Sequence, residues 1–260
     1  METFFSLMLS GSIAVLTMMV VLWLVSILIR NASIVDIFWG FGFVVLSWVW
    51  FLMAEGNSDR KLLVLVLVNL WGLRLSVYIA WRNHGKGEDY RYQKFRQDYG
   101  PKRYWWVSFF QVFMLQGILM ILISAPLLGS MMYSSHSMGF IDVIGVIVWL
   151  IGFSFEAGGD FQLARFKSND LNKGKLLNTG FWKYTRHPNY FGDSAVWWGY
   201  AVICLAGGSF IPIYGSVMMT LLIINVSGVA LLEKTLKTSK PGYEEYVRKT
   251  SAFFPWFPEK

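Results

Sequence analysis

Cationic and hydrogen-bonding side chains are concentrated at one point of the chain, residues 181–200, which read FWKYTRHPNYFGDSAVWWGY. Three of them precede a proline: Tyr184, Arg186 and His187. Pro188 suits the first turn of a helix, where its fixed φ is helical and its missing N–H is harmless. Asn189 and Asp193 then share one face of that helix, one turn apart. Cations before a helix and polar groups on its first turn can hold phosphates and a ribose, so the stretch predicts a nucleotide site.

A pair of carboxylates lies upstream at helical spacing, Glu156 and Asp160 in GFSFEAGGDFQLARFK. Four residues apart, they fall on one face of a helix. A metal ion needs more ligands than this pair supplies and no nearby histidine completes a set, so we predict no metal site. Carboxylate oxygens accept hydrogen bonds from the two hydroxyls of a diol, and the pair therefore predicts ribose binding.

Two ionisable residues lie inside apolar segments, Asp36 in SIVDIFWG and Arg74 in WGLRLS. Ionisable side chains are costly in a bilayer and are functional candidates by default. Asp36 also has a structural interpretation, as a charge that complements the dipole of a helix start capped by Ser33, and both interpretations stay open. We expect Arg74 to pair with an acid or a substrate oxygen, and Asp36 is a reasonable partner.

Further amides and cations in the polar segments could surround phosphates: Asn83, Lys86, Lys167 and Lys175. None belongs to a Gly-rich dinucleotide fingerprint, and no strand–turn–helix pattern hosts one. A bound nucleotide would therefore lie among membrane helices, with side-chain cations around its phosphates. His84 is either a phosphate contact or a plain loop residue, and His136 is expected to be a solvated loop residue.

The elements that must position these residues are membrane helices. Of the 260 residues, 55% are hydrophobic and only 15% are charged, whereas soluble domains carry about a quarter charged residues. Seven apolar segments are long enough to cross a hydrocarbon core, near 5–29, 34–54, 61–81, 107–128, 140–162, 189–208 and 211–232. The prediction is an all-α, polytopic integral membrane protein with about seven transmembrane helices. The single Cys204 lies in one of these segments and is interpreted as a small buried hydrophobe.

Lys and Arg residues set the predicted orientation. Of the 23, 19 lie in the segments 82–106, 163–188 and 233–260, which seven crossings place on one side of the membrane. By the positive-inside rule that side, with the C-terminus, is cytoplasmic and the N-terminus is outside. Because this clustering follows topology rather than a binding stripe, the net charge of +7 predicts no nucleic-acid partner.

The whole chain, 1–260, is predicted to form a single transmembrane domain without internal repeats, and its three basic segments are predicted to form the cofactor side. Glycine and its neighbours predict tight turns at 100–101, 172–174 and 178–180. The aromatic tail FFPWFP is expected to need a hydrophobic partner, either the headgroup interface or the body of the protein.

From about residue 30 onward, the chain resembles the bacterial branch of the steroid 5-alpha-reductase family, the DUF1295-type proteins. The likeness rests on SIVDIFWG, WGLRLSVYIAWRNHGKGEDYRY, the run 156–160, YTRHPNYFGDSAVWWGY, the run 243–246 and FFPWFP. The same core is shared with sterol reductases and with isoprenylcysteine carboxyl methyltransferases. The methyltransferases commonly have Ser in place of Asn189 and lack the acid at Asp193, so the sequence is more similar to the reductases.

The resemblance implies a seven-helix membrane reductase that uses NADPH to deliver hydride to the β-carbon of a conjugated enone. By motif, the family's phosphate contacts fall on Asn83 and Lys86, and its ribose contact falls on Asp160. The adenosine contacts fall on Leu163, Lys167 and Lys175. The contacts at the centre of the cofactor fall on Asn189 and Asp193, the nicotinamide contact falls on Trp197, and a further family position after the last helix falls on Glu233.

The substrate end departs from the family pattern. The steroid enzymes hold the keto oxygen with a Glu in the second helix and a Tyr in the third, where this chain has Asp36 and Trp71 by approximate spacing. Hydride addition to an enone generates an enolate, so a hydrogen-bond donor at the carbonyl oxygen lowers the barrier. The catalytic hypothesis is that Asp36, protonated or shared with Arg74 or Tyr78, polarises the carbonyl.

The expected substrate is a lipophilic small molecule that enters from the bilayer, whether a steroid, another isoprenoid or a fatty chain. The expected location is the bacterial inner membrane, and the oligomeric state is left open. Two other functions are considered: an S-adenosylmethionine-dependent methyltransferase of the same superfamily, which Asn189 and Asp193 argue against, and a non-catalytic membrane binding protein.

Overall fold

Every regular element is helical in the parts of the chain that the computed structural model describes, residues 3–133, 137–227 and 242–258. The helices are α1 Phe4–Ile29, α2 Ile34–Met53, α3 Ser58–Asn83, α4 Tyr90–Tyr99, α5 Tyr104–Ser108, α6 Leu115–Ile123, α7 Ala125–Met132, α8 Phe140–Lys167, α9 Pro188–Ala206, α10 Tyr214–Leu222 and α11 Tyr243–Lys249. The prediction of an all-α fold is therefore confirmed.

Five helical runs in the described ranges are long and apolar enough to cross a membrane: α1, α2, α3, the run Tyr104–Met132 and α8. They make the chain a multi-pass membrane protein in a lipid environment. The sixth predicted segment is the helix α9, and the apolar helix Ile211–Asn225 lies within the seventh. The count of seven crossings and their orientation stay predictions.

Local sequence explains where the helices begin and end. Thr3 caps α1 by accepting a hydrogen bond from the Ser6 N–H at 3.2 Å, and Asn57 caps α3 in the same way. Asp89 caps α4 by accepting from the Arg91 N–H at 3.0 Å. Gly100 ends α4 with a φ of 71°, which confirms the predicted turn there.

The fourth predicted segment is longer and less regular than its hydropathy suggests. Hydropathy predicts one helix over 107–128, but the helical run extends over Tyr104–Met132. A π-helical stretch, Phe109–Met114, interrupts it near its start. A second irregularity lies at Ser124, two residues before Pro126, because proline has no N–H to continue the α-helical bonding.

By its internal contacts the chain divides into two compact units, here called the N-terminal unit (1–138 and 206–212) and the C-terminal unit (139–205 and 213–260). The prediction of a single domain stays a prediction. Large aromatic side chains form the core of the N-terminal unit. Phe43 packs on Trp71 with ring centroids 5.7 Å apart, and the Trp50 indole donates to the Leu7 carbonyl at 2.8 Å.

Glycines bring the backbones of α8 and α9 into contact in the C-terminal unit. A Cβ added to Gly152 would lie 2.5 Å from the Val196 backbone nitrogen, and one added to Gly192 would lie 2.3 Å from that of Glu156. Any larger side chain would push the two helices apart, as in other membrane helix pairs that meet at small residues. This close approach fixes the carboxylates of α8 against the first turns of α9.

Candidate functional site

The residues just before α9 are hydrogen-bonded to residues 242–258, here called the C-terminal segment. Pro188 is the first residue of α9, as predicted. The Thr185 hydroxyl donates to the Phe253 carbonyl at 2.9 Å, and the Tyr184 carbonyl accepts from the Trp256 N–H at 2.8 Å. The Thr185 oxygen also accepts from the His187 N–H at 3.2 Å. These bonds hold the entrance of α9 in one conformation.

Arg186 is bound to backbone carbonyls at the end of α11. Its guanidinium donates to the carbonyls of Val247, at 3.1 Å, and Thr250, and its N–H donates to the Ser251 carbonyl at 2.9 Å. The last carbonyls of a helix have no partner within the helix and carry partial negative charge. Arg186, only 8% exposed, therefore caps α11. Its predicted contact with a cofactor stays a prediction.

The aromatic tail finds its hydrophobic partner in the C-terminal unit itself. Phe253 is buried, and its ring lies 6.1 Å from the ring of Phe191. Phe254 lies 6.2 Å from Phe191 but remains largely exposed. The sequence left open whether the tail packs on the headgroup interface or on the protein, and Phe253 packs on the protein.

His187 is packed as part of the same turn. Its side chain is buried, and its ring stacks on Tyr190 with centroids 5.6 Å apart. The imidazole, just before α9, is thus packed against an aromatic side chain of the first turn of that helix. The prediction that it contacts a phosphate stays a prediction.

Three of the predicted site residues meet where α8 and α9 touch. The Asn189 amide donates to an Asp160 carboxylate oxygen at 3.2 Å, across 29 positions of sequence. Glu156, one turn before Asp160, is 3% exposed, and Asp160 is 7% exposed. The Trp182 indole donates to the carbonyl of Gly159 at 3.2 Å beside them. The result is a buried pair of carboxylates with an amide donor, on one face of α8 as the spacing predicted.

The other predicted residues of this unit lie on α8, on α9 and in the stretch between the two helices. Leu163 is half-buried and Lys167 exposed in the last turns of α8. Lys175 is exposed just beyond the turn at 172–174, which is confirmed by a φ of 83° at Gly174. Asp193 is half-buried on α9, and Trp197 is fully buried, with its carbonyl accepting from Ser216 at 2.6 Å.

In the N-terminal unit, Asp36 lies in a dense polar cluster. One carboxylate oxygen accepts from the Arg91 guanidinium at 2.8 Å, and the other accepts from the Tyr92 hydroxyl at 2.6 Å. The Gln116 amide in turn donates to the Tyr92 oxygen at 3.3 Å. The described hydrogen bonds of Asp36 therefore come from α4, and not from Arg74 or Tyr78 as expected.

Electrostatics in this cluster favour a protonated Tyr92 and a charged Arg91. Burial and the negative charge of Asp36 both raise the pKa of the Tyr92 hydroxyl. Burial alone would lower the pKa of Arg91, but its bond to Asp89 and the charges of Asp36 and Asp89 outweigh burial and raise it. The cluster thus holds a protonated phenol whose oxygen lies 2.6 Å from a carboxylate oxygen of Asp36.

A second set of bonds fixes α4 to the start of α2. Glu88 accepts from the Ala32 N–H at 2.7 Å and forms a bidentate ion pair with Arg96, at 2.9 and 3.0 Å. The Ser33 hydroxyl accepts from the Asp89 N–H at 3.2 Å. Ser33 precedes α2, but its side chain does not cap the helix as the structural interpretation of Asp36 expected.

The remaining predicted residues of the N-terminal unit lie on α3 and just after it. Arg74 and Tyr78 are half-buried, and the Arg82 guanidinium lies over the Tyr78 ring at 5.8 Å. Asn83 is the last residue of α3, and its carbonyl accepts from the Lys86 N–H at 3.0 Å. Lys86 and His84 are exposed. The catalytic roles of Asp36, Arg74 and Tyr78 stay predictions.

Two residues named from the sequence, His136 and Glu233, lie outside the described residues. Within the described ranges, no group of three or more His, Cys, Asp or Glu side chains is arranged to hold a metal ion.

Nothing in the sequence singles out Arg91 and Tyr92 as partners of Asp36. The alternation of aromatic and charged residues in 82–106 indicates a folded surface. It does not indicate which of them contacts Asp36, because Asp36 lies 55 positions before Arg91 in the sequence. One signal was available: a carboxylate withdrawn from water needs hydrogen-bond donors, and Arg and Tyr side chains both supply them.

Comparison with known proteins places the chain in a family. The profile of a family described as "Protein of unknown function (DUF1295)" matches residues 22–250. The chain belongs to this family, which is the steroid 5-alpha-reductase-like family. The chain is also similar to the uncharacterized protein C594.04c of Schizosaccharomyces pombe, at 25% identity over 260 residues, covering 90% of this chain and 76% of the yeast protein. No solved structure matches the chain.

Proposed function

We propose that this protein is a membrane-embedded reductase that transfers hydride from NADPH to the C=C bond of a conjugated enone in a steroid or a similar lipid. The observation that carries the proposal is the group formed by Glu156, Asp160 and Asn189, two buried carboxylates with an amide bonded to one of them. It occurs in the motif that carries the likeness to the reductases, in a chain of their wider family.

The residues of this group fit the chemistry of a pyridine nucleotide. The ribose hydroxyls of NADPH are donors, and Glu156 and Asp160 supply carboxylate acceptors beside an amide that can both donate and accept. Lys167 and Lys175 are exposed cations on the same unit and suit its phosphates. We assign Leu163, Asp193 and Trp197 to the same cofactor by their motif positions. NADPH, when bound, supplies the hydride.

The protein must also supply a proton, because hydride addition leaves an enolate. Arg91 and Tyr92 each donate a hydrogen bond to one oxygen of Asp36, so both of its carboxylate oxygens already have a donor from α4. Tyr92 keeps its proton and donates it to Asp36 in a short hydrogen bond. We therefore assign the proton of the reaction to the Asp36–Tyr92 pair rather than to Asp36 alone, with Arg91 holding the pair in place.

The finer topology belongs to the same proposal. Seven crossings would place the N-terminus outside and the basic segments 82–106 and 163–188 in the cytoplasm, where NADPH is available. The substrate would enter from the bilayer, and the membrane would be the bacterial inner membrane. The clustering of Lys and Arg in these segments supports this orientation.

The test is enone reduction with deuterated NADPH by the purified full chain in proteoliposomes, starting with 4-ene-3-keto steroids. We expect a product that carries one deuterium at the former β-carbon. Asp36→Asn should remove most turnover and leave NADPH affinity nearly unchanged. Asp59→Asn is the matched control, because Asp59 is also an acid in the first turn of a membrane helix but is exposed.

Full turnover by Asp36→Asn would overturn the assignment of the proton. Transfer of a methyl group from S-adenosylmethionine by the same preparation, without deuterium transfer, would overturn the reductase and favour the methyltransferase.

A further inference from the structure

A cavity of about 320 Å³ lies entirely within the C-terminal unit, on a side of α9 that the proposed reaction does not use. Its walls are apolar and come from Val148 and Ile151 on α8 and from Phe191 on α9. Phe253 and Phe254 of the C-terminal segment line it as well. The volume is near the lower end of ligand pockets, about 300–1,000 Å³, and such pockets are mostly apolar with a few polar groups.

The polar groups of this cavity form one hydrogen-bonded chain. The Trp198 indole donates to the Thr220 hydroxyl oxygen at 3.1 Å. The Thr220 hydroxyl lies 2.9 Å from the Ser216 carbonyl, which can only accept. The Ser194 and Thr220 hydroxyl oxygens lie 2.8 Å apart. Ser194, Trp198 and Thr220 all line the cavity.

Counting protons fixes the direction of this chain. Thr220 has one hydroxyl proton, and the Ser216 carbonyl takes it, so the bond between Ser194 and Thr220 must use the proton of Ser194. The Ser194 oxygen is then an acceptor only. Its residue is 4% exposed, and among the described residues no other donor bonds to that oxygen.

We propose that this cavity binds a lipophilic alcohol, whose hydroxyl donates a hydrogen bond to Ser194 and whose hydrocarbon part lies against Ile151 and Phe191. A ketone offers no proton to an acceptor, so the enone and the saturated ketone of the proposed reaction do not suit this site. A water molecule would need two to four polar partners, and the cavity offers it one acceptor among apolar walls.

The surroundings indicate that the alcohol comes from the membrane. Val148 and Ile151 lie near the middle of α8, which is one of the helices long and apolar enough to cross a bilayer. Phe253 and Phe254 are held beside the cavity by the bonds between the C-terminal segment and the entrance of α9, including the one from Thr185 to the Phe253 carbonyl. The aromatic tail thus forms one wall of a lipid site.

The test uses dodecanol carrying a mid-chain diazirine, photoactivated on the full-length protein in nanodiscs, with the labelled residues located by mass spectrometry. We expect labels on Ile151, Phe191 or Phe254. Unlabelled dodecanol should compete roughly fivefold better than methyl decyl ketone or dodecane, the value of one neutral hydrogen bond. Ser194→Ala should abolish that preference without removing the label, and Ala195→Leu, which fills the cavity, should remove the label.

Ser154→Ala is the control, because Ser154 is another serine of the membrane helices and does not line the cavity. It should label and compete like the unmodified protein. Equal competition by dodecanol, the ketone and dodecane would overturn the proposal, as would a preference for dodecanol that survives Ser194→Ala. Because none of these readouts involves NADPH or an enone, failure here is distinguishable from failure of the reductase.

Discussion

The Tyr92 hydroxyl donates to the carboxylate of Asp36 at 2.6 Å, across 56 positions of sequence. Tyr92 lies on α4, in the polar stretch after α3, and Asp36 lies in the first turn of α2. The bond ties an acid at the end of a membrane helix to a protonated phenol, and Arg91 completes the cluster from the same side.

Tyr92→Phe should destabilise the protein by about 1–3 kcal/mol, because the variant leaves an oxygen of the half-buried Asp36 carboxylate without its donor. The midpoint of an SDS-unfolding titration measures this change. Tyr90→Phe is the matched control: Tyr90 is on the same helix but 70% exposed, and it should shift the midpoint by only a few tenths of a kcal/mol. Equal midpoints for the two variants would mean that the Asp36–Tyr92 bond contributes nothing to stability.

The ion pair of Asp89 and Arg91 predicts a pH dependence. Burial pushes the pKa of Asp89 up, but hydrogen bonds from Arg91 outweigh it and hold the pKa below its ordinary value of 3.8. A carboxyl whose pKa is lowered by folding stabilises the folded state above its unfolded pKa, and this stabilisation is lost as the pH falls through the folded pKa. The unmodified protein should therefore be more stable than Asp89→Asn at neutral pH, and this difference in stability should disappear as the pH falls below about 4.

Melting temperatures of the two proteins at neutral and acidic pH measure this loss. Asparagine still caps α4, so the comparison isolates the charge of Asp89. Asp98→Asn, an exposed change on the same helix, serves as the control. A gap between the unmodified protein and Asp89→Asn that stays constant with pH would show that the ion pair is not formed.

Arg186→Lys should loosen the C-terminal segment. Lysine carries the charge but lacks the planar fork that reaches both the Val247 and Thr250 carbonyls, so we expect a loss of about 2 kcal/mol. Limited proteolysis should then cleave within 242–258 several times faster. Arg165→Lys, at an exposed position of α8, should leave the cleavage rate unchanged. Unchanged cleavage in Arg186→Lys would contradict the capping role of Arg186.

Gly192→Ala should separate α8 from α9, because its Cβ would lie 2.3 Å from the Glu156 backbone nitrogen. The variant should unfold at a lower temperature and should lose the hydrogen bond between Asn189 and Asp160. Gly139→Ala is the control, since a Cβ there meets nothing within 4 Å. An unaltered melting temperature for Gly192→Ala would mean that the two backbones are not in contact at this point.

The apolar segments were the most predictable part of the fold. Length and hydropathy predicted α2 over 34–54, and it runs over Ile34–Met53. The irregular run Tyr104–Met132 was less predictable, because the π-helical stretch and the break near Pro126 depend on local bonding that hydropathy does not report. The predicted turns were more reliable, because the glycines at 100, 174 and 180 all adopt a positive φ.

The candidate site was predictable where it depended on spacing within a helix. Glu156 and Asp160 fall on one face because they are one turn apart, and Pro188 starts α9 because of its own chemistry. Contacts between distant segments were not predictable. The composition of 82–106 does not indicate that Arg91 and Tyr92 bond to Asp36. The charge of Arg186 suggests a phosphate contact, but its described hydrogen bonds go to backbone carbonyls at the end of α11.

The most direct test of the reductase is a thermal-shift titration of the purified protein with NADPH, NADH and S-adenosylmethionine. A ligand that binds the native state raises its apparent stability by mass action. We predict stabilisation by NADPH, with an apparent Kd roughly tenfold weaker in Asp160→Asn because a ribose acceptor is lost, and no such change in the exposed control Asp170→Asn. Stabilisation by S-adenosylmethionine alone would contradict the reductase and, with it, the cofactor roles assigned to Asn189 and Asp193.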